Sequence, residues 1–282
     1  MTTIRAGDWE MTLRPALGGA IASLTLGGRD VLRPTAEGET DPLFSACFPL
    51  VPYANRIDHG RFVFEDREVR LTPTPRFEPH VLHGTGWLAP WALTMDGAVA
   101  VMTYAHPAGD WPWSFKAEQR LTLTSDGLTV VLTMTNTDAA PMPAGVGLHP
   151  YFVRRAGTRL TLKSDGVWLA DETQIPVRKA APGELFDWRD GPRVNDAPFV
   201  DNAYAGWDGA ALVSDSSGDI RLTAGAEATG VHVFAPPGED FFCVEPVTQR
   251  PNAHNAPPGE TSGVRTLAPG EAFALTMSIA RA

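Results

Sequence analysis

Two residues of this sequence have both the side chain and the setting for moving protons, His149 and Glu245. Each directly precedes a proline, in Gly147-Leu148-His149-Pro150-Tyr151-Phe152 and in Cys243-Val244-Glu245-Pro246-Val247-Thr248. A proline ring drives the residue before it out of the helical region and toward extended backbone. Both side chains are therefore expected on strand ends or extended loops, aimed in a fixed direction. Glu245 follows Phe241-Phe242-Cys243-Val244, an apolar run that reads as a buried strand. A carboxylate at the end of such a strand is partly desolvated, which raises its pKa. A histidine brought beside it would have its own pKa raised by the carboxylate. A carboxylate with an imidazolium is what proton shuttling at neutral pH needs.

Three more segments set polar residues among apolar ones. They are Pro52-Tyr53-Ala54-Asn55-Arg56-Ile57 with Gly60-Arg61-Phe62 behind it, Pro79-His80-Val81-Leu82-His83-Gly84, and Pro251-Asn252-Ala253-His254-Asn255. Asn55, Arg56, His80 and His83 are candidates to hold a ligand, and Asp201, in Phe199-Val200-Asp201-Asn202, is another. Each has a plainer use. Arg56 could brace a carboxylate, Glu245 included; His83 could bond a loop carbonyl; Asp201 could close an Asx-turn. His59, His106, His232 and His254 are expected to be structural or exposed. The sequence has no P-loop, no G-x-S-x-G elbow, no H-E-x-x-H and no dinucleotide fingerprint. What chemistry there is must rest on acid–base side chains.

The elements that position these residues are strands. The 27 glycines and 25 prolines are spread evenly and cut the chain into short pieces, leaving little room for helices. The pieces alternate with period two. Leu121–Thr124 and Leu128–Thr135 flank Ser125-Asp126-Gly127, which predicts a hairpin. Phe273, Leu275, Met277 and Ile279 alternate with small or polar residues, which predicts a strand with one buried face. Short strands also fit Ile21–Leu26, Phe62–Phe64, Val69–Leu71, Val99–Tyr104, Ala211–Val213, Ile220–Leu222 and Val231–Phe234. Residues 170–200, rich in Pro, Gly and Asp, read as long surface loops. The pattern predicts an all-β fold, a large antiparallel β-sandwich, forming a single domain over residues 1–282.

Composition narrows the partners. The chain has 282 residues, is 43% hydrophobic and 20% charged, and carries a formal charge of -10 with no Lys/Arg run. Neither nucleic acid nor an anionic membrane is an expected partner. The N-terminus shows no apolar signal region and no stretch approaches the length of a membrane helix, so a cytoplasmic location is expected. Cys47 and Cys243 are the two cysteines, too few for a Cys-type zinc site, and two buried thiols are the simpler reading than a disulfide.

Taken together, these segments resemble the aldose 1-epimerase (galactose mutarotase) family. Asn55-Arg56 to Gly60-Arg61-Phe62 is similar to its N-R-x-x-x-G-R-F signature, Leu82-His83-Gly84 to its L-H-G, and His149-Pro150-Tyr151-Phe152 to its H-P-Y-F. Glu245-Pro246 with Pro251–Asn255 resembles its E-P…P-x-A-x-N ending. The matches keep family order from about residue 50 to 255.

The resemblance implies a galactose mutarotase-like sandwich that interconverts the anomers of a free sugar. It implies Glu245 as base and His149 as acid. Arg56 and His83 would contact the ring oxygen or neighbouring hydroxyls, and Asp201 would take a sugar hydroxyl. No cofactor and no metal are implied, and the partner is a small monosaccharide, with the protein a monomer or homodimer. A sugar site also wants an aromatic platform, for which Trp87, Trp91, Trp111, Trp113 and Trp207 are candidates. The family more usually has Asn where this chain has His80, which bears on the choice of sugar. Alternatives within reach of the same residues are a hexose-6-phosphate 1-epimerase, a non-catalytic carbohydrate-binding sandwich, and a glycosidase using Glu245 with Asp201.

Overall fold

A computed structural model describes residues 1–282. Nearly all regular structure is strand, and the only helical segments are three-residue 3-10 turns. One 8-stranded antiparallel sheet runs in the spatial order Ala92–Asp96, Val99–His106, Phe115–Thr124, Gly127–Asn136, Ala272–Arg281, Gly218–Ala224, Ala210–Asp215, Arg159–Leu162. The second, which carries the site, runs Pro176–Ala180, Gly166–Ala170, Val200–Ala205, Gly230–Ala235, Phe241–Val247, Gly147–Leu148, Pro49–Leu50. Tyr151–Val153 pairs with Phe241–Val247 beside this path.

Alternation drives the packing. In Ala272–Arg281 the side chains of Phe273, Leu275, Met277 and Ile279 are buried while their neighbours are not. Gly127–Asn136 pairs with this strand along its length and with Phe115–Thr124 through the predicted Asp-Gly hairpin. Strands of both large sheets contribute to one cluster of 59 buried residues, which includes Leu121 and Leu132 from one and Val231 and Phe242 from the other. No helix is long and apolar enough to cross a membrane. Cys47 and Cys243 are free and buried.

Two details differ from the sequence reading. Residues 170–200 are not all surface loop: Pro176–Ala180 forms an edge strand, and Trp188 and Val194 are buried. Short apolar residues scattered among turn formers hide such anchoring. The N-terminal hairpin of Thr2–Ala6 and Trp9–Arg14 also escaped the reading, although Trp9, Met11 and Leu13 alternate into the core.

Chain close-packing under the site is tight at Gly84. It has φ +72°, and a Cβ there would lie 2.2 Å from the Val51 carbonyl oxygen. Both the backbone conformation and the space demand glycine. Gly84→Ala is expected to destabilise the protein by more than about 2 kcal/mol, read as a lower urea midpoint. An unchanged midpoint would show that the turn has room the packing does not reveal.

Candidate active site

Asn55 and His83 are joined first. Arg56–Ile57 pairs with Val81–Leu82 as a two-residue ladder. Beyond its end, the Asn55 N–H donates to His83 Nδ1 at 3.1 Å, and the His83 N–H donates to the Asn55 carbonyl at 3.0 Å. Both residues sit in the left-handed region, φ 60° and 59°. Such conformations are held only where the surroundings fix them, and they concentrate at functional sites. The bond to Nδ1 settles the tautomer: Nδ1 accepts, so Nε2 carries the proton. Burial, with the charges of His149 and Arg56 adding to it, keeps the His83 pKa well below the usual value. His83 is thus a fixed neutral N–H donor in the cavity wall.

The second construction is a closed circuit. Asn55 Oδ1 accepts from the Arg56 N–H at 2.8 Å and from its Nη1 at 3.4 Å. Arg56 Nη2 lies 3.4 Å from Asp201 Oδ2. Asp201 Oδ1 accepts from His232 Nε2 at 2.7 Å, and His232 Nδ1 returns to Asn55 Nδ2 at 3.5 Å. Burial opposes ionisation of Asp201, but the His232 hydrogen bond and the His232 and Arg56 charges outweigh it and hold the carboxylate below its usual range.

The third is the His149–Glu245 pair. Their strands meet at the Gly147–Val247 pairing, and Glu245 stands opposite His232 in the neighbouring strand. His149 Nε2 is 3.3 Å from Glu245 Oε1, and the two side chains are 7% and 2% exposed. The imidazole packs against two rings, Phe48 at 4.7 Å and Tyr151 at 4.6 Å, both nearly parallel to it, which limits its freedom to turn. Burial pushes the His149 pKa down to about 3, and the His232 charge adds to this. Burial raises Glu245 well above the usual carboxylate range, Asp201 adds to this, and Arg56 opposes it. The expectation that the carboxylate would raise its histidine is thus overturned, because desolvation of both partners outweighs their attraction. Burial thus favours the neutral form of both partners, the carboxyl and the imidazole.

These three constructions line one cavity of about 210 Å³. Asn55, Arg56, His83, His149, Asp201 and Glu245 all face it. His80 does not. It is buried behind the wall, where its Nδ1 accepts the His59 N–H at 3.0 Å and lies 3.2 Å from Asp58. The tryptophan platform is also corrected, because none of the five candidates lines the cavity. Trp87 instead ties down the Leu82-His83-Gly84 turn, donating from Nε1 to the carbonyls of Leu82 and Gly84. Trp91 and Trp207 donate to nearby carbonyls, and Trp111 and Trp113 pack on each other and on Phe62 and Phe64. The aromatic wall is Phe44, Phe77, Tyr151, Phe234 and Phe241.

His232 and Arg33 were missed. His232 faces the cavity although the sequence shows only an apolar strand around it. Its alternation with Val231 and Val233 was a usable signal, since it puts His232 and Phe234 on one face. That this face is the Glu245 face follows from pairing register, which the sequence does not print.

Comparison with known proteins agrees with this geometry. The sequence matches the aldose 1-epimerase family over residues 3–280. It is 34% identical over 247 residues, 83% of each chain, to the uncharacterized Escherichia coli K12 protein YphB. Among solved structures it is similar to a provisionally named aldose 1-epimerase of Escherichia coli K12, with TM-score 0.89, 32% identity and 99% and 97% of the two chains covered. It also superposes on a galactose mutarotase-like protein of Clostridium acetobutylicum with TM-score 0.87 at 20% identity, covering 99% and 95% of the chains. The chain belongs to the aldose 1-epimerase family.

Proposed function

We propose that the protein interconverts the α and β anomers of a free aldose, with Glu245 and His149 as the acid–base pair. The observation that carries this is the buried carboxyl and imidazole, 3.3 Å apart at the cavity. Opening a hemiacetal moves one proton from the C1 hydroxyl to the ring oxygen as the C1–O5 bond breaks. It therefore needs one base and one acid at once, which an adjacent carboxyl and imidazole supply between them.

The neighbours divide: His232 and Arg33 disfavour protonated His149 and Asp201 disfavours ionised Glu245, while two contributions favour the required polarity. The negative charge of Asp201 favours protonated His149, and the positive charge of Arg56 favours ionised Glu245. When a sugar replaces water and brings hydroxyls to both groups, transfer of the proton across the contact yields a carboxylate and an imidazolium. The carboxylate takes the O1 proton and the imidazolium delivers its proton to O5. The aldehyde turns about C1–C2, and the steps reverse on either face. His83 Nε2–H and Arg56 stabilise negative charge developing on oxygen. The cavity suits one pyranose rather than a chain.

Polarimetry on freshly dissolved α-D-galactose, α-D-glucose and α-D-xylose tests the proposal. Faster relaxation to the same final rotation is expected with protein present. Sugar binding by calorimetry with no acceleration would instead establish a binding-only pocket.

A further inference from the structure

One cation in the cavity has no counter-charge. Arg33 faces it and pairs with no carboxylate. One terminal amino group, Nη2, donates to the carbonyls of Leu43 and Ser45 at 2.8 and 3.1 Å. Its Nε is buried without a partner, and Nη1 has no hydrogen-bond partner in the protein. The guanidinium is fixed by flat contacts, its carbon 4.0 Å from the centre of the Tyr151 ring and 4.3 Å from that of Phe241. Asp41, on the neighbouring loop, is taken by Arg76 at 2.6 Å. A charge held this firmly, half desolvated and uncompensated, is costly unless something balances it.

The other charges of the cavity do not balance it. Arg56 is offset by Asp201, Glu245 stands 3.3 Å from His149, and burial favours its neutral form. Arg33 is therefore a cavity cation with no ion-pair partner, in a chain whose formal charge is -10. The position of Arg33 also carries information. The Tyr151 ring carries both, with His149 stacked on it at 4.6 Å and the Arg33 guanidinium carbon 4.0 Å from its centre. The cation and the proton-transfer pair thus border the same ring in one cavity wall, and a sugar whose C1 lies at His149 and Glu245 has the guanidinium beside it.

We infer that the preferred substrate is an aldose bearing one negative charge remote from C1, a hexuronate, whose carboxylate is held by Arg33. This rests on the epimerase reading above. One guanidinium with a spare terminal amino group balances a carboxylate; a phosphate dianion calls for a second cation, and Arg56 is already engaged.

The test compares anomerisation of D-galacturonate with D-galactose, and of D-glucuronate with D-glucose, by exchange NMR, with the 6-phosphates as a third arm. Wild type, Arg33→Met and Arg33→Lys are measured at low and high salt, with thermal melts to check folding. A hydrogen bond to a charged group corresponds to roughly tenfold to a hundredfold. The kcat/KM for the uronate is expected to exceed that of its parent hexose by about tenfold or more, through KM, and the advantage should shrink with salt. Arg33→Met should abolish the advantage, and Arg33→Lys should keep part of it. Parity between uronate and hexose in the wild type, survival of the advantage in Arg33→Met, or preference for the 6-phosphate would each overturn the inference. If no sugar is accelerated, calorimetry separates the two readings. Uronate binding that depends on Arg33 keeps Arg33 as the carboxylate site while the epimerase reading falls; absence of such binding removes both.

Discussion

Glu245→Gln is expected to slow anomerisation by about 10²–10⁴-fold while leaving the fold unchanged. The substitution keeps the size and planarity of the side chain but removes its proton-carrying function. The consequence extends to His149. Its pKa, pushed down to about 3 by burial, keeps the imidazole in its neutral form at neutral pH, and the same burial favours the protonated carboxyl as its proton source. A glutamine supplies none, so the variant lacks both the base for O1 and the proton for O5. Stability should hold or rise, because burial of this carboxyl is opposed by desolvation and by the nearby Asp201 charge. Polarimetry and a thermal melt on the same sample decide the matter. A variant that keeps the wild-type rate would remove Glu245 from the mechanism, and one that fails to fold would call for Glu245→Asp as the replacement test.

How far the sequence revealed this site depends on whether chain-local signals placed a residue. Glu245 and His149 were legible because a proline after each and an apolar run before Glu245 act locally on backbone and burial. Asn55, Arg56 and His83 were legible because their segments set polar residues among apolar ones and resemble the family's motifs. The protonation of the pair was not legible. It depends on two desolvation costs set by the surrounding strands, and these exceed the mutual attraction that a sequence reader naturally weighs first. His80 shows the same limit in reverse. It sits three residues from His83, yet its ring turns to the His59 N–H and away from the cavity. The tryptophans misled because their size suits a platform, whereas here their indole N–H groups anchor the loops behind it. Most strands were legible, the N-terminal hairpin and Pro176–Ala180 excepted, but their register was not, and register is what brings His232 to Glu245 and Asp201.

Unfolding free energy is expected to fall at the buried histidines between pH 7 and pH 5, by roughly 2 kcal/mol from His254 alone. His83, His149 and His254 all have depressed pKa values in the native state, the last two at about 3. Unfolding returns each to an ordinary value near 6.5. Below that value the unfolded chain takes up protons that the native state refuses, so stability is intact above it and drains as the pH falls toward 3. At pH 5 an imidazole held at about 3 accounts for roughly 2 kcal/mol, and His83 acts in the same direction. Glu245 has the opposite sign. Its raised pKa is a penalty at neutral pH that acidification relieves. Asp201, held low, loses its contribution only below the window. His254 isolates the histidine effect, since it lies outside the cavity against Phe62, Tyr53 and Trp111 with neither ring nitrogen partnered. His254→Leu should shrink the loss by about 2 kcal/mol, and at pH 7.5 it should match or exceed the wild type because no unsatisfied polar ring remains buried. Urea midpoints at the two pH values measure both effects. Equal pH dependence in variant and wild type would mean that the His254 imidazole gains its proton in the folded protein as readily as in the unfolded chain, and that burial there does not control its charge.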